Sequence, residues 1–128
     1  MKRKTIQIET AISTSPNNEY RLNIEFYVYV RDNTYVSYCP SLDLTSTGLS
    51  FNEAVSNFIE CFQLHTECCL EAGTFEEDLK AHGWTLHKSQ WHTPAISTIL
   101  KKDVMKELLS TPVGFEKVVI PARYPVAL

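Results

Sequence analysis

The sequence has no apolar run long enough to cross a bilayer, no internal repeat, no low-complexity tract and no composition break of the kind that marks a linker. With 128 residues it also has no room for a second full domain, so a single domain over 1–128 is expected. An export signal is missing: Met1-Lys2-Arg3-Lys4 would serve as a basic start, but Gln7 and Glu9 interrupt the apolar run that must follow. A cytoplasmic location is therefore expected, with Cys39, Cys61, Cys68 and Cys69 as reduced thiols. Basic charge is not in excess either, since 12 Lys and Arg stand against 15 Asp and Glu for a net charge of −3. A nucleic-acid backbone must be met by clustered Lys and Arg, so direct DNA binding by this chain is not expected, whereas a basic protein partner is permitted.

What is present is an ordered series of strands and one long amphipathic helix. Ile6, Ile8 and Ile12 mark a short N-terminal strand, and Ser13 to Glu19 a turn-forming loop. From Tyr20 the pattern alternates strictly. Tyr20, Leu22, Ile24, Phe26, Val28 and Val30 take one face, and Arg21, Asn23, Glu25, Tyr27 and Tyr29 the other. Arg31-Asp32-Asn33-Thr34 supplies a hairpin turn into Tyr35 to Cys39, Pro40 stops that strand, and a third strand covers Leu44 to Thr47.

Ser50 and Glu53 form the S-x-x-E capping box that opens a helix, with the hydroxyl taking an orphan N–H and the carboxylate reaching back to the cap's own N–H. Phe51, Ala54, Val55, Phe58, Cys61, Phe62, His65, Cys69 and Ala72 recur at helical spacing and are expected on the sheet. Asn52, Glu53, Ser56, Glu60, Gln63, Glu67 and Glu71 take the opposite side. Gly73 ends the helix, and Thr74 with Glu77 reads as a second capping box. Beyond this, Trp84 to Lys88 reads as a fourth strand, Ile96 to Leu109 as loosely helical, and Phe115 to Ile120 as a terminal strand before Pro121 and Pro125. The fold class expected is α+β, an antiparallel β-β-β-α(-β) arrangement over about residues 20–84, with a C-terminal extension over about 85–128.

The run Cys39-Pro40-Ser41-Leu42-Asp43 followed by Gly48-Leu49-Ser50-Phe51-Asn52-Glu53-Ala54 resembles the HicB family, the antitoxin half of HicA/HicB toxin–antitoxin pairs. That family is marked by two paired strands, a Pro-Asp-Leu-like turn, then Gly-x-Thr or Ser and Glu-Ala at the start of a long helix. The match covers Leu22 to Trp84. The resemblance implies a truncated RNase H-like core without nuclease activity, homo-oligomerisation, and steric inhibition of a HicA-type mRNA interferase as the function. Two departures stand out: the second glycine usual in the turn is absent, and nothing after Trp84 reads as the DNA-binding tail that many family antitoxins carry. A ribbon-helix-helix or helix-turn-helix needs two helices, and Lys101 to Leu109 provides one.

On this reading Pro40, Leu42, Gly48, Ser50, Glu53 and Ala54 build the scaffold. Tyr27, Tyr29, Tyr35 and Asp43 are the residues placed at the partner surface. The alternatives are a stand-alone HicB-like oligomeric adaptor or regulator and, more remotely, an enzyme. Cys61, His65 and Cys68 or Cys69 bring soft ligands to one side of the helix, but His82, His87 and His92 offer no matching pair, so they are read as core residues and no metal or cofactor is expected. Mid-helix and C-terminal cysteines lack the positive environment a nucleophilic thiolate needs. Glu25, Asp43 and Glu53 are the carboxylates that two-metal cleavage would have to use, although capping accounts for Glu53 and turn chemistry for Asp43.

Overall fold

The computed structural model describes residues 7–8, 19–110 and 114–125. Eleven elements follow one another: β1 (Gln7–Ile8), β2 (Glu19–Arg31), β3 (Thr34–Cys39), β4 (Leu44–Gly48), α1 (Phe51–Ala72), α2 (Phe75–Ala81), β5 (Thr85–His87), β6 (Gln90–His92), α3 (Ile96–Ile99), α4 (Asp103–Ser110) and β7 (Phe115–Pro125). The class is α+β, as expected. Ile6, Ile12 and Ser13 to Asn18 lie outside the described residues, so the N-terminal strand is described only as Gln7–Ile8.

The sheet order is β1-β7-β2-β3-β4, with the β5–β6 hairpin attached to β2 through a parallel bridge at Arg21 and Gln90. The β2–β3 hairpin closes at Arg31 opposite Thr34, and its two central residues, Asp32 and Asn33, both have positive φ, the I′ geometry that matches strand twist. Lys88 and Ser89 do the same for β5 and β6, a hairpin of which the sequence pattern gave only the first strand.

Within the stretch expected as a C-terminal extension, β7 is an interior strand of the sheet, paired antiparallel with β2 from Glu19↔Pro125 to Tyr29↔Phe115. It also runs through Pro121 to Pro125 instead of stopping before Pro121. A proline ends a strand only where its missing N–H was owed to a neighbour.

Along β2, Leu22, Ile24, Phe26 and Val28 are buried. Val30, expected on the same covered face, is 39% exposed because it sits at the hairpin end opposite Tyr35. The face is covered by α1, where Phe58 stacks on Phe26 with ring centroids 4.1 Å apart. The helix presents Ala54, Phe58, Phe62, Thr66 and Leu70 as its buried line. This corrects the expected stripe in the helix's second half: Cys61, His65 and Cys69 are only half-buried on its flank and Ala72 is exposed. Phe75, Leu79, Trp84, Trp91 and Tyr124 extend the same core. Each such large side chain stabilises the fold by about 1.5–3 kcal/mol before conformational entropy is subtracted.

The helix boundaries follow from capping chemistry, with two corrections. Ser50 Oγ accepts the Glu53 N–H at 3.1 Å, but the Glu53 carboxylate takes the Leu49 N–H at 3.3 Å, one residue before the cap. Gly73, at φ 73°, closes α1 with Thr74 N–H to Cys69 O and Gly73 N–H to Leu70 O, a Schellman motif. Thr74 makes no capping bond for α2; its hydroxyl donates back to Cys69 O at 3.4 Å.

The opposite face of the sheet is covered too. Met105 and Leu108 of α4 are buried against Tyr38, with Tyr27, Tyr29, Ile99 and Val104 half-buried around them. Among the described residues, no helix is long and apolar enough to cross a membrane.

Candidate functional site

The corner between β3 and α1 is where local chemistry is most tightly specified. Pro40, Ser41 and Leu42 are buried, and the Trp84 indole N–H donates to Ser41 O at 2.7 Å, which ties the corner to the far end of α2. Gly48 ends β4 directly beneath the first turn of α1: a Cβ there would lie 2.5 Å from Ala54 N and 2.9 Å from Ala54 Cα. Only glycine lets these two backbones meet. Ala54 is fully buried for the complementary reason, and the Ser37 hydroxyl donates to its carbonyl at 2.7 Å inside the core. Ser37 was not marked by the sequence pattern, since a serine among strand residues looks like a surface position. Asn57 adds a bond from its amide to Thr47 O at 2.8 Å.

Asp43 occupies the corner's outer side in left-handed backbone, φ 54°. Its carboxylate accepts from Lys102 Nζ at 2.8 and 3.0 Å and from the Tyr38 hydroxyl at 3.1 Å, with His82 Nε2 at 3.8 Å. Partial burial would raise this carboxyl, but the hydrogen bonds and charge of Lys102, with Tyr38 and His82, outweigh it and hold the group below its ordinary range. The same contact, added to burial, pushes the Tyr38 phenol up. Lys102 did not stand out in the sequence, because its pairing with Asp43 joins residues 59 apart; Tyr38 is only five residues from Asp43, but it read as one more strand aromatic.

The four residues placed at a partner surface are therefore divided. Tyr27 and Tyr29 lie on the α4 side, Tyr27 meeting Phe115 edge-on with centroids 5.6 Å apart. Burial raises the Tyr29 phenol, Arg31 acting against it and Glu107 with it. Tyr35 packs on the α1 side. Tyr29 and Tyr35 nevertheless both line an open cleft of about 280 Å³ at the hairpin end, together with Val28, Val30, Phe51, Gly114, Phe115 and Glu116. Val30 and Phe115 are exposed at its rim, and Leu49, 81% exposed, stands one residue before the α1 cap.

The polar side chains on the flank of α1 form a second cluster. His65 Nε2 lies 3.2 Å from Asp78 Oδ2 and 3.8 Å from Cys69 Sγ. His82 Nδ1 donates to Asp78 O at 2.8 Å and lies 3.7 Å from Asp78 Oδ1. A nucleophile–base–acid relay needs the thiol and the carboxylate on different ring nitrogens. Here both approach Nε2, and burial, with Asp78 and Cys68 adding to it, raises the Cys69 thiol despite a hydrogen bond from Thr74. Cys39 is equally unsuited to attack: burial pushes its thiol up to about 11, although Ser41 Oγ shares a hydrogen bond with it at 3.3 Å.

The three carboxylates considered for two-metal cleavage have separate duties. Glu25 pairs with Lys117 at 3.4 Å, Asp43 with Lys102, and Glu53 caps α1. Among the described residues, His65, Cys69 and Asp78 are the one group of three whose donor atoms converge. His65 and Cys69 are thus not simply core residues, and the partner missing from their sequence neighbourhood is Asp78, which the Gly73 turn folds back onto α1. No protein-family model, curated protein or solved structure matches this chain.

Proposed function

We propose that this chain is an antitoxin-like protein with a HicB-like, partial RNase H-like core, which binds a HicA-type mRNA interferase and inhibits it sterically, without chemistry of its own. The observation that carries the reading is the open cleft at the hairpin end. It joins Tyr29 and Tyr35 to the exposed apolar groups Val30 and Phe115, beside a corner whose Gly48, Ser50, Glu53 and Ala54 are fixed by backbone contact. Amphipathic aromatics around an apolar centre are the composition of protein-binding patches. The exposed Leu49 extends the same end of the molecule.

Self-association belongs to the same proposal. Strand β4 closes the described sheet at one edge, and an unpaired edge is a template for a second copy. A homodimer is the simplest closed arrangement. Direct DNA binding is not part of the reading.

A second reading, a stand-alone HicB-like oligomeric adaptor without a toxin, is favoured by one observation: α4 of the chain itself already covers the Tyr27 side of the sheet. Capture from lysate of the chain's own host separates the two. Under the antitoxin reading a small basic ribonuclease encoded beside the chain co-purifies in a stable complex, and Tyr35→Ala combined with Phe115→Ser weakens it while the fold is kept. If the chain recovers only copies of itself, the adaptor reading replaces it.

A further inference from the structure

The geometry on the flank of α1 points to a metal site that the helical pattern alone did not reveal. Gly73 reverses the chain between α1 and α2, which brings Asp78, four residues into α2, against His65 and Cys69, one turn apart on α1. One imidazole nitrogen, one sulfur and one carboxylate oxygen then lie within 4.8 Å of one another.

Those separations can be compared with a coordination tetrahedron. Zinc binds sulfur at about 2.3 Å, imidazole nitrogen at about 2.0–2.1 Å and carboxylate oxygen at about 2.0–2.2 Å. At tetrahedral angles the ligand-to-ligand edges are about 3.6 Å for S···N and about 3.4 Å for N···O. The edges here are 3.8 Å for Cys69 Sγ to His65 Nε2 and 3.2 Å for His65 Nε2 to Asp78 Oδ2. Both differ from the tetrahedral edges by a few tenths of an ångström, and the third edge, from Cys69 Sγ to the Asp78 carboxylate, is within 4.8 Å, so closing it to the tetrahedral value of about 3.6 Å takes a side-chain movement of up to about 1 Å.

The donor set decides the kind of ion. A thiolate with an imidazole and one carboxylate suits zinc or cobalt(II), whereas calcium and magnesium require oxygen ligands throughout. The side chains of His65 and Asp78 are 31% and 24% exposed, which leaves room for water in the fourth position. His82, whose Nδ1–H bonds Asp78 O at 2.8 Å, packs its ring beside this carboxylate, with Nδ1 3.7 Å from the oxygen that does not face His65.

We propose that His65, Cys69 and Asp78 form a three-ligand site for a zinc-class divalent transition metal, which clamps α2 to the C-terminal half of α1. The site is independent of the cleft at the hairpin end. Its effect is to fix the α1–α2 corner from which Trp84 reaches the Ser41 carbonyl.

The test uses the untagged full-length chain, stripped with chelator and kept reduced. Cobalt(II) is titrated by absorption spectroscopy, and zinc by calorimetry and by competition for the cobalt. The expected result is one ion per chain, a thiolate-to-cobalt charge-transfer band with tetrahedral d–d absorption, displacement of cobalt by zinc, and a higher thermal midpoint with zinc bound. Cys69→Ser abolishes the charge-transfer band, while Cys61→Ser and Cys68→Ser retain it. The proposal is overturned if the folded wild-type chain takes up neither ion at micromolar concentration, if the charge-transfer band persists in Cys69→Ser, or if zinc affinity is unchanged in both His65→Gln and Asp78→Asn. The wild-type titration decides the matter even where a substituted chain does not fold.

Discussion

On the α1 side of the sheet, the apolar line of β2 meets Ala54, Phe58 and Phe62 in one core that continues through Phe75, Leu79, Trp84 and Trp91 to Tyr124. On the α4 side, Tyr38, Met105 and Leu108 form a cluster of three buried residues among those described, flanked by the half-buried Tyr27 and Tyr29. The first face is stabilised by hydrophobic burial and backbone contact. The second depends more on polar ties, Lys102 to Asp43 at 2.8 Å and Arg31 to Glu107 at 3.3 Å. Exposed ion pairs contribute little each. One side of the sheet therefore fixes the fold, and the other carries a thinner cover that can be altered without dismantling it.

Truncating one residue on each side tests this contrast most strongly. Phe58→Ala, which empties a fully buried site stacked on Phe26, costs about 3–5 kcal/mol, while Leu108→Ala costs about 2 kcal/mol, the low end for a leucine. Urea unfolding midpoints measure both, and equal costs would place α4 in the main core. Gly48→Ala is next. Its new methyl meets Ala54 backbone, which cannot yield as a flexible side chain would, so a loss of about 1–3 kcal/mol is expected, with faster hydrogen exchange in the first turn of α1.

How much of this was legible in the sequence follows the range of the interactions. The β2–β3 hairpin, β4 and the start and end of α1 obey local rules: strict alternation, Asp32-Asn33 in the turn, Ser50 at the cap and Gly73 at the close. Strand β7 could not be placed in that way. Its partner β2 lies roughly a hundred residues earlier in the chain, and Pro121 looks like a stop until its neighbours are known. The stripe of α1 was read too far toward Cys61, His65 and Cys69 because Thr66, a polar residue, holds a core position, while Leu70 continues the true line. The candidate sites divide similarly. Gly48 and Ala54 are local and legible, whereas Asp43 with Lys102, Asp78 with His65, and the cleft shared by Tyr29, Tyr35 and Phe115 depend on tertiary contacts.

Two smaller effects sharpen the contrast between the faces. Thr66 is fully buried and its hydroxyl has no hydrogen-bond partner among the described residues, so Thr66→Val removes a desolvated polar group at nearly constant volume and stabilises the chain by about 1 kcal/mol, readable as a raised thermal midpoint. The α4 side responds instead to acid. Because the folded-state carboxyl of Asp43 titrates below its unfolded value of about 3.9, its contribution is present at neutral pH and is lost as pH falls through the folded value. Protection of the α4 amides, taken relative to their intrinsic exchange rate at each pH, falls over that range in the wild type. In Lys102→Met the acid dependence is smaller, since the main source of the depression is gone; an identical profile would mean that Asp43 does not hold α4.

The proposed inhibition is tested most directly by an RNA-cleavage assay in which a small ribonuclease encoded beside this chain, the partner that the proposal requires, is titrated with purified protein. The account predicts that cleavage falls to background at a near-equal molar ratio, that the chain alone cleaves no RNA, and that Tyr35→Ala with Phe115→Ser shifts the end point to excess while Leu108→Ala leaves it in place. Cleavage that continues at full rate under a large excess of the folded chain would contradict it.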